Sequence, residues 1–131
     1  MLNPIPSEVD VAVIGAGSAG LPAFRAAREH TDRVILIERG PHGTTCARVG
    51  CMPSKLLIAA AEAAHGMEIA SDFGIHPGSI SIDGEAVMER VRRERDRFVG
   101  FVLDGVDRID PEPKISGQAR FVEDSRMEIG T

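Results

Sequence analysis

The chain has 131 residues, enough for one modest hydrophobic core, and a net charge of −5 that argues against nucleic acid or an anionic membrane as partner. No apolar run is long enough to span a bilayer, and the opening Met1-Leu2-Asn3-Pro4-Ile5-Pro6 lacks the basic and apolar regions of a signal peptide, so a cytoplasmic protein is expected. A structural disulfide is unusual in that compartment, so its two Cys residues, close together in the chain, ask for another explanation.

Val11-Ala12-Val13-Ile14 is a short apolar run of the kind that forms a strand covered on both faces, as in a parallel sheet. Gly15 ends it. A helix is predicted from Ser18 to Glu29, with Pro22 near its first turn, where a missing N–H costs least. Arg33 to Glu38 reads as a second strand, so residues 9–38 form a βαβ unit. Gly40 to Gly50, rich in Gly, Pro and Thr, is predicted to be loop. A second helix is expected from about Cys51 to Ile69, and Ser71 to Ser81 reads as irregular. Asp83 to Val106 reads as a long helix. Its arginines alternate with Glu89, Glu94 and Asp96, which points to an ion-paired, solvated face rather than a nucleic-acid patch. Ile115 to Val122 and Met127 to Ile129 are predicted strands, turning at Asp124-Ser125.

Gly15-Ala16-Gly17-Ser18-Ala19-Gly20 matches the dinucleotide fingerprint. Gly15 permits the tight turn, Gly17 lets a pyrophosphate approach the backbone, and Gly20 lets the helix pack on the sheet. The helix start offers N–H groups and partial positive charge to phosphates. Glu38 closes the second strand, where a carboxylate can accept hydrogen bonds from ribose hydroxyls and would repel a 2′-phosphate. The loop alone does not separate FAD from NAD, and a glycine-rich turn without a ligand is the bland alternative.

Cys46 and Cys51 flank Ala47-Arg48-Val49-Gly50. Cys51 stands at a helix start, which lowers a thiol pKa, and Lys55 adds positive charge one turn on. A zinc site completed by His42 and His65, two buried free thiols, and a structural disulfide are the competing readings.

The stretch from Gly43-Thr44-Thr45-Cys46 through Val49-Gly50-Cys51 to Pro53-Ser54-Lys55, placed after the glycine loop, resembles the pyridine nucleotide–disulfide oxidoreductases. Asp72-Phe73-Gly74-Ile75-His76 and the helix around Val91 to Phe98 are most similar to the dihydrolipoamide dehydrogenase branch. The resemblance implies an α/β, Rossmann-like FAD-binding domain with a parallel sheet, of which this chain is the incomplete N-terminal part. On that reading residues 9–38 form the nucleotide βαβ, 43–69 the redox-cysteine loop and helix, 83–106 the long helix and 115–129 the last strands. The NAD and dimer-interface domains would be absent.

It further implies an FAD-binding set of Gly15, Gly17, Ser18, Ala19, Gly20, Glu38, Arg39, Thr45, Cys46, Gly50, Cys51 and Lys55. Thr45 would touch the phosphate–ribose region. Cys51 would be the charge-transfer thiolate against the flavin, Cys46 the interchange thiol in a Cys46–Cys51 disulfide, and Lys55 would tune the flavin. Electrons would pass between a dihydrolipoyl or other small disulfide substrate, the cysteines, FAD and NAD(H), in a homodimer. A glutathione- or mercuric-reductase-like member, or a nucleotide-binding module without activity, are the alternatives. Thr44 departs from the family, which usually has a second Gly there, so a side chain crowds the loop or changes its dihedrals. Arg48 and Met52 replace a frequent Asn and a frequent Ile or Val. His30, His42, His65 and His76 fall in no matching motif, and no catalytic role is assigned to them.

Overall fold

The computed structural model describes residues 5–130. They fall into two compact units. One takes the chain up to Thr45 together with everything from Gly100 on; the other is Cys46–Val99.

The first unit is built on a three-stranded parallel sheet of β1 (Val11–Ile14), β2 (Val34–Glu38) and β3 (Lys114–Ser116), with β2 in the centre. Val11 pairs with Val34 and Ile14 with Ile37, while Leu36 pairs with Lys114 and Glu38 with Ser116. Successive side chains of a strand point to opposite faces, and β2 is apolar on both. Val34 and Leu36 enter a core with Ala16, Leu21, Phe24 and Val106, closed by helix α1 (Gly20–Arg28) and the last turns of helix α4 (Gly84–Asp107). Ile35 and Ile37 join Ile115 on the other face, against Ala119, Met127 and Ile129. β2 is thus the strand covered on both sides, whereas β1, the run expected to be so, is half-buried and ends at an exposed Ile14.

Those last three residues belong to an antiparallel hairpin of β4 (Gln118–Glu123) and β5 (Arg126–Gly130), which turns at Asp124-Ser125 and carries an irregularity between Phe121 and Glu123. The single strand expected over Ile115–Val122 is therefore two. The break falls at Gly117, whose N–H donates to the carbonyl of Glu38 (3.0 Å), the last residue of β2. With β2 at its end, the chain has no parallel partner left and pairs with β5 instead. α1 also starts later than expected, at Gly20 rather than Ser18.

The second unit holds most of α2 (Thr45–Val49), then α3 (Cys51–Glu68), a short 3-10 turn over Ala70–Phe73, and the first part of α4. The expected loop over residues 40–50 is corrected here, because α2 occupies its second half. Cys46, Ala47, Arg48 and Val49 contain no helix breaker, and the glycines that suggested loop lie outside, at Gly43 and Gly50. Gly50, at φ −121° and ψ −111°, separates α2 from α3. α4 begins where expected, with Asp83 Oδ1 accepting the N–H groups of Glu85 (3.1 Å) and Ala86 (3.0 Å). Along its exposed face Arg97 meets Glu94 at 3.2 Å and Arg95 meets Asp96 at 2.7 Å, the ion-paired pattern read from the sequence. No described helix is long and apolar enough to cross a membrane.

Leu36 is 1% exposed, at the middle of the central strand. Leu36→Ala is expected to lower the unfolding free energy by about 2–5 kcal/mol, measured by urea denaturation. A loss below 1 kcal/mol would show that β2 is not the packing centre.

Candidate functional site

The candidate site has two parts, one in each unit. In the first, the residues of the glycine loop meet the end of β2. Gly15 takes φ +96° and donates its N–H to the carbonyl of Ile37 (2.7 Å), which turns the chain sharply off β1. A Cβ on Gly20 would lie 1.7 Å from the carbonyl oxygen of Gly15, so only glycine lets α1 start this close to the strand. A Cβ on Gly17 would meet nothing within 4 Å, so the space beside that backbone is open.

The start of α1 has no side-chain cap and no acidic residue in its first turn. The N–H of Leu21 already donates to the carbonyl of Gly17 (3.1 Å), and the partial positive charge of the helix start remains to attract an anion. Ser18 and Ala19 form the turn that leads into it. This open backbone and uncapped helix start fit the diphosphate of a dinucleotide.

Glu38 ties this loop to β2. Its Oε2 accepts the N–H of Ala16 and its Oε1 the N–H of Gly40, both at 2.8 Å. Burial alone would raise its pKa. The N–H groups of Gly40, Ala16 and Arg39, with the charge of His42, outweigh that and hold the carboxyl below its usual range. It is therefore an anchored carboxylate, and each oxygen keeps acceptor capacity for a ribose hydroxyl. Arg39 is engaged elsewhere in the same unit: its guanidinium donates to Gln118 Oε1 on β4 at 3.4 Å.

Beyond Glu38 the backbone takes two consecutive left-handed residues, Gly43 at φ 104° and Thr44 at φ 57°. The departure noted in the sequence thus falls at a position that favours glycine. A β-branched residue in this region is strained, at a cost of about 1–2 kcal/mol. Thr45 then opens α2.

In the second part, α2 carries Cys46 and the first residue of α3 is Cys51. Gly50 makes the break that folds one against the other. Cys46 is half-buried and Cys51 exposed. The Cys46 S–H donates to the Cys51 sulfur. That hydrogen bond is the largest influence on both groups, lowering the Cys51 pKa and raising that of Cys46. Burial opposes it, and the charge of Lys55 and the backbone N–H of Cys51, each a smaller influence than burial, pull Cys51 further down. The helix-start argument gave the right direction for Cys51, but the leading cause is the partner thiol. No acidic residue lies in the first turn of α3 to oppose the thiolate.

The structure thus gathers Gly15, Gly17, Ser18, Ala19, Gly20 and Glu38 in one unit, and Cys46, Gly50, Cys51 and Lys55 in the other. One residue at the nucleotide end escaped the sequence reading, which offered His42 only as a spare metal ligand. Among the described residues no polar side chain is buried as a whole, yet Nδ1 of His42 is buried and has no hydrogen-bond partner.

Comparison with known proteins agrees with these features. Residues 9–127 match the pyridine nucleotide-disulphide oxidoreductase family, and the chain belongs to it. It is 46% identical over 80 residues to mercuric reductase of Streptomyces lividans, covering 60% of this chain and 17% of that one. It is 38% identical to mercuric reductase of Serratia marcescens, over 92% of this chain and 27% of that protein. It is 35% identical to dihydrolipoyl dehydrogenase of Chlamydia muridarum, over 92% of this chain and 26% of that protein. The chain therefore spans about a quarter or less of the length of these relatives. In fold it is similar to the HOCl-induced flavoprotein disulfide reductase RclA of Escherichia coli, solved as a Cu(II) complex. The TM-score is 0.65 at 23% identity, covering 92% of this chain and 24% of that one.

Two outcomes follow from this geometry. Because the Glu38 pKa is lowered on folding, its contribution to stability is complete above the unfolded value of about 4.3 and fades as pH falls through the folded value. Glu38→Gln is expected to lower stability at pH 7 and to flatten the loss between pH 5 and 3, measured by urea unfolding across that range. Parallel wild-type and variant curves would remove Glu38 as the anchor. Thr44→Gly is expected to gain about 0.5–1 kcal/mol, the relieved strain less the added freedom of the unfolded chain. A loss in the same assay would mean that contacts of the Thr44 side chain outweigh its backbone strain.

Proposed function

We propose that the chain forms the FAD-binding and dithiol part of a flavoprotein disulfide oxidoreductase that oxidises dihydrolipoyl groups with NAD⁺. The observation that carries this reading is that α2 and the start of α3 bring the Cys46 and Cys51 side chains within hydrogen-bonding reach of one another, with Cys51 the thiol favoured as thiolate.

The asymmetry assigns the steps of exchange. In the oxidised pair, a substrate thiolate attacks the Cys46 sulfur. The S–S bond breaks and Cys51 leaves as the thiolate. A disulfide is attacked so that the more acidic thiol departs, and Lys55 and the start of α3 stabilise that charge. The second substrate thiol then attacks the substrate sulfur of the mixed disulfide and releases Cys46. Two electrons have moved from substrate to the pair. One proton is retained on Cys46, the thiol whose pKa is raised, and the other passes to solvent. Thr45, Gly50 and the glycine loop would hold FAD, with Glu38 on its ribose. The chemistry FAD supplies when bound is two-electron transfer between the dithiol and NAD(H). The NAD(H) site, homodimer formation and a cytoplasmic setting are parts of the same proposal.

A second reading is favoured by relatives named mercuric reductase. Two thiols, one of them a ready thiolate, suit a soft cation such as mercuric ion as substrate. Steady-state turnover of the native-length protein with dihydrolipoamide, glutathione disulfide and mercuric ion separates the readings. Preference for dihydrolipoamide supports the first, and preference for mercuric ion replaces it with the second.

The thiol assignment has its own test. Cys46→Ala removes the proton donor, so the Cys51 pKa is expected to rise back toward the ordinary value of about 8.5, read from thiolate absorbance against pH. Cys51→Ala should bring the Cys46 pKa down toward the same value, and each variant should lose disulfide turnover. An unchanged Cys51 titration in Cys46→Ala would overturn the assigned roles.

A further inference from the structure

We propose that the groove between α1 and the last turn of α4 is a binding site for a small organic phosphate, held by Arg25 and Arg108. It lies at the opposite end of α1 from the glycine loop, since α1 starts at Gly20 and Arg25 and Arg28 stand in its last turn.

The first argument is the cavity and its charge. The groove encloses about 440 Å³, within the range of about 300–1,000 Å³ that small-molecule sites occupy. Arg25, Arg28 and Arg108 line it against a single carboxylate, Asp110. The chain as a whole is acidic, so the sign reverses locally. A phosphate monoester carries close to two negative charges at neutral pH, which balances three cations and one anion.

The second argument is the unused donors. Arg28 is engaged: its guanidinium donates to the carbonyl of Asp32 at 2.6 Å and meets the Asp32 carboxylate at 3.4 Å. Among the described residues, Arg25 and Arg108 have no hydrogen-bond or ion-pair partner. Basic side chains at a helix end ordinarily bond its last carbonyls. Here other donors hold those carbonyls. Ala26 accepts the N–H of Glu29 (3.2 Å) and Ala27 that of His30 (3.0 Å). Val106 accepts the N–H of Ile109 (3.0 Å) and the Lys114 ammonium (3.2 Å). Two guanidinium forks therefore remain, the group that binds phosphate oxygens in pairs.

The third argument is placement. A Cβ on Gly105 would lie 3.4 Å from Arg25 Nη2 and meet nothing else within 4 Å. Glycine is a poor helix former, and here its missing side chain leaves room for the Arg25 guanidinium beside α4. Phe24, Ile109 and Pro113 line the same cavity and offer an apolar surface to the organic part of an ester.

The test is isothermal titration calorimetry of the native-length protein with phenyl phosphate. Wild type is expected to bind with a Kd below about 1 mM. Arg25→Gln and Arg108→Gln are each expected to weaken binding about tenfold, with thermal melting checking that the fold is kept. Gly105→Leu keeps both arginines and fills the groove, so it should abolish binding; it decides the question if an arginine variant does not fold. A wild type that does not bind would overturn the inference. So would binding that is unchanged in the three variants, which would place the phosphate elsewhere, such as at the glycine loop. Benzoate, a single negative charge on the same ring, is expected to bind more weakly, and equal affinity would overturn the assignment of a phosphate.

Discussion

The carboxylate of Glu38 accepts the N–H of Ala16 with one oxygen and the N–H of Gly40 with the other. The first bond draws the glycine loop against the end of β2. The second shapes the exit of the same strand into the segment that leads to α2. Without it, the turn at Gly15 would keep only its own bond to the Ile37 carbonyl, and Ala16 would lose its tie to β2. Hydrogen bonds to an ionised acceptor are roughly twice as strong as neutral ones, so an acidic residue at this position has a structural role besides any contact with a ribose.

That carboxylate is useful only because β2 is rigid beneath it. The strand contributes Val34 and Leu36 to one core cluster and Ile35 and Ile37 to the other, so both faces of the unit converge on it. Its own carbonyls continue the role at the top edge, where Ile37 accepts from Gly15 and Glu38 from Gly117. The turn of the nucleotide loop and the point where the chain leaves the parallel sheet are thus set by consecutive residues of one strand. Sites placed on such elements hold their geometry better than sites on free loops.

β1, β2, α3 and α4 were legible because each carries a strong local signal. These are an apolar run bounded by glycine, a helix start after Gly50, and Asp83 ahead of a long helical pattern. The details that escaped depend on partners distant in sequence. Nothing near Gly117 says that β2 ends opposite it, so the strand break could not be read. α2 was hidden by the glycines on either side, which outweighed the residues between them. Thr44 could be flagged as a departure from the family pattern, but its positive φ comes from the tertiary path of the loop. His42 lay in no motif, and only burial of Nδ1 distinguishes it from an ordinary surface histidine.

The cysteine pair shows how little structure is needed to make two identical side chains chemically different. Both lie in the same short segment, and neither is deeply buried. Desolvation is therefore a secondary influence, and the difference rests on who holds the proton. Cys51 begins α3; its N–H and Lys55 lower both thiols, so the difference comes from the hydrogen bond between the two sulfurs. Cys46, within α2, faces the developing charge on Cys51 and so resists losing its proton. Each influence on one sulfur has its counterpart on the other, since a thiolate stabilised by a neighbouring S–H raises that neighbour's pKa. The two titrations belong to the pair. A substituent that changes either residue must therefore change both.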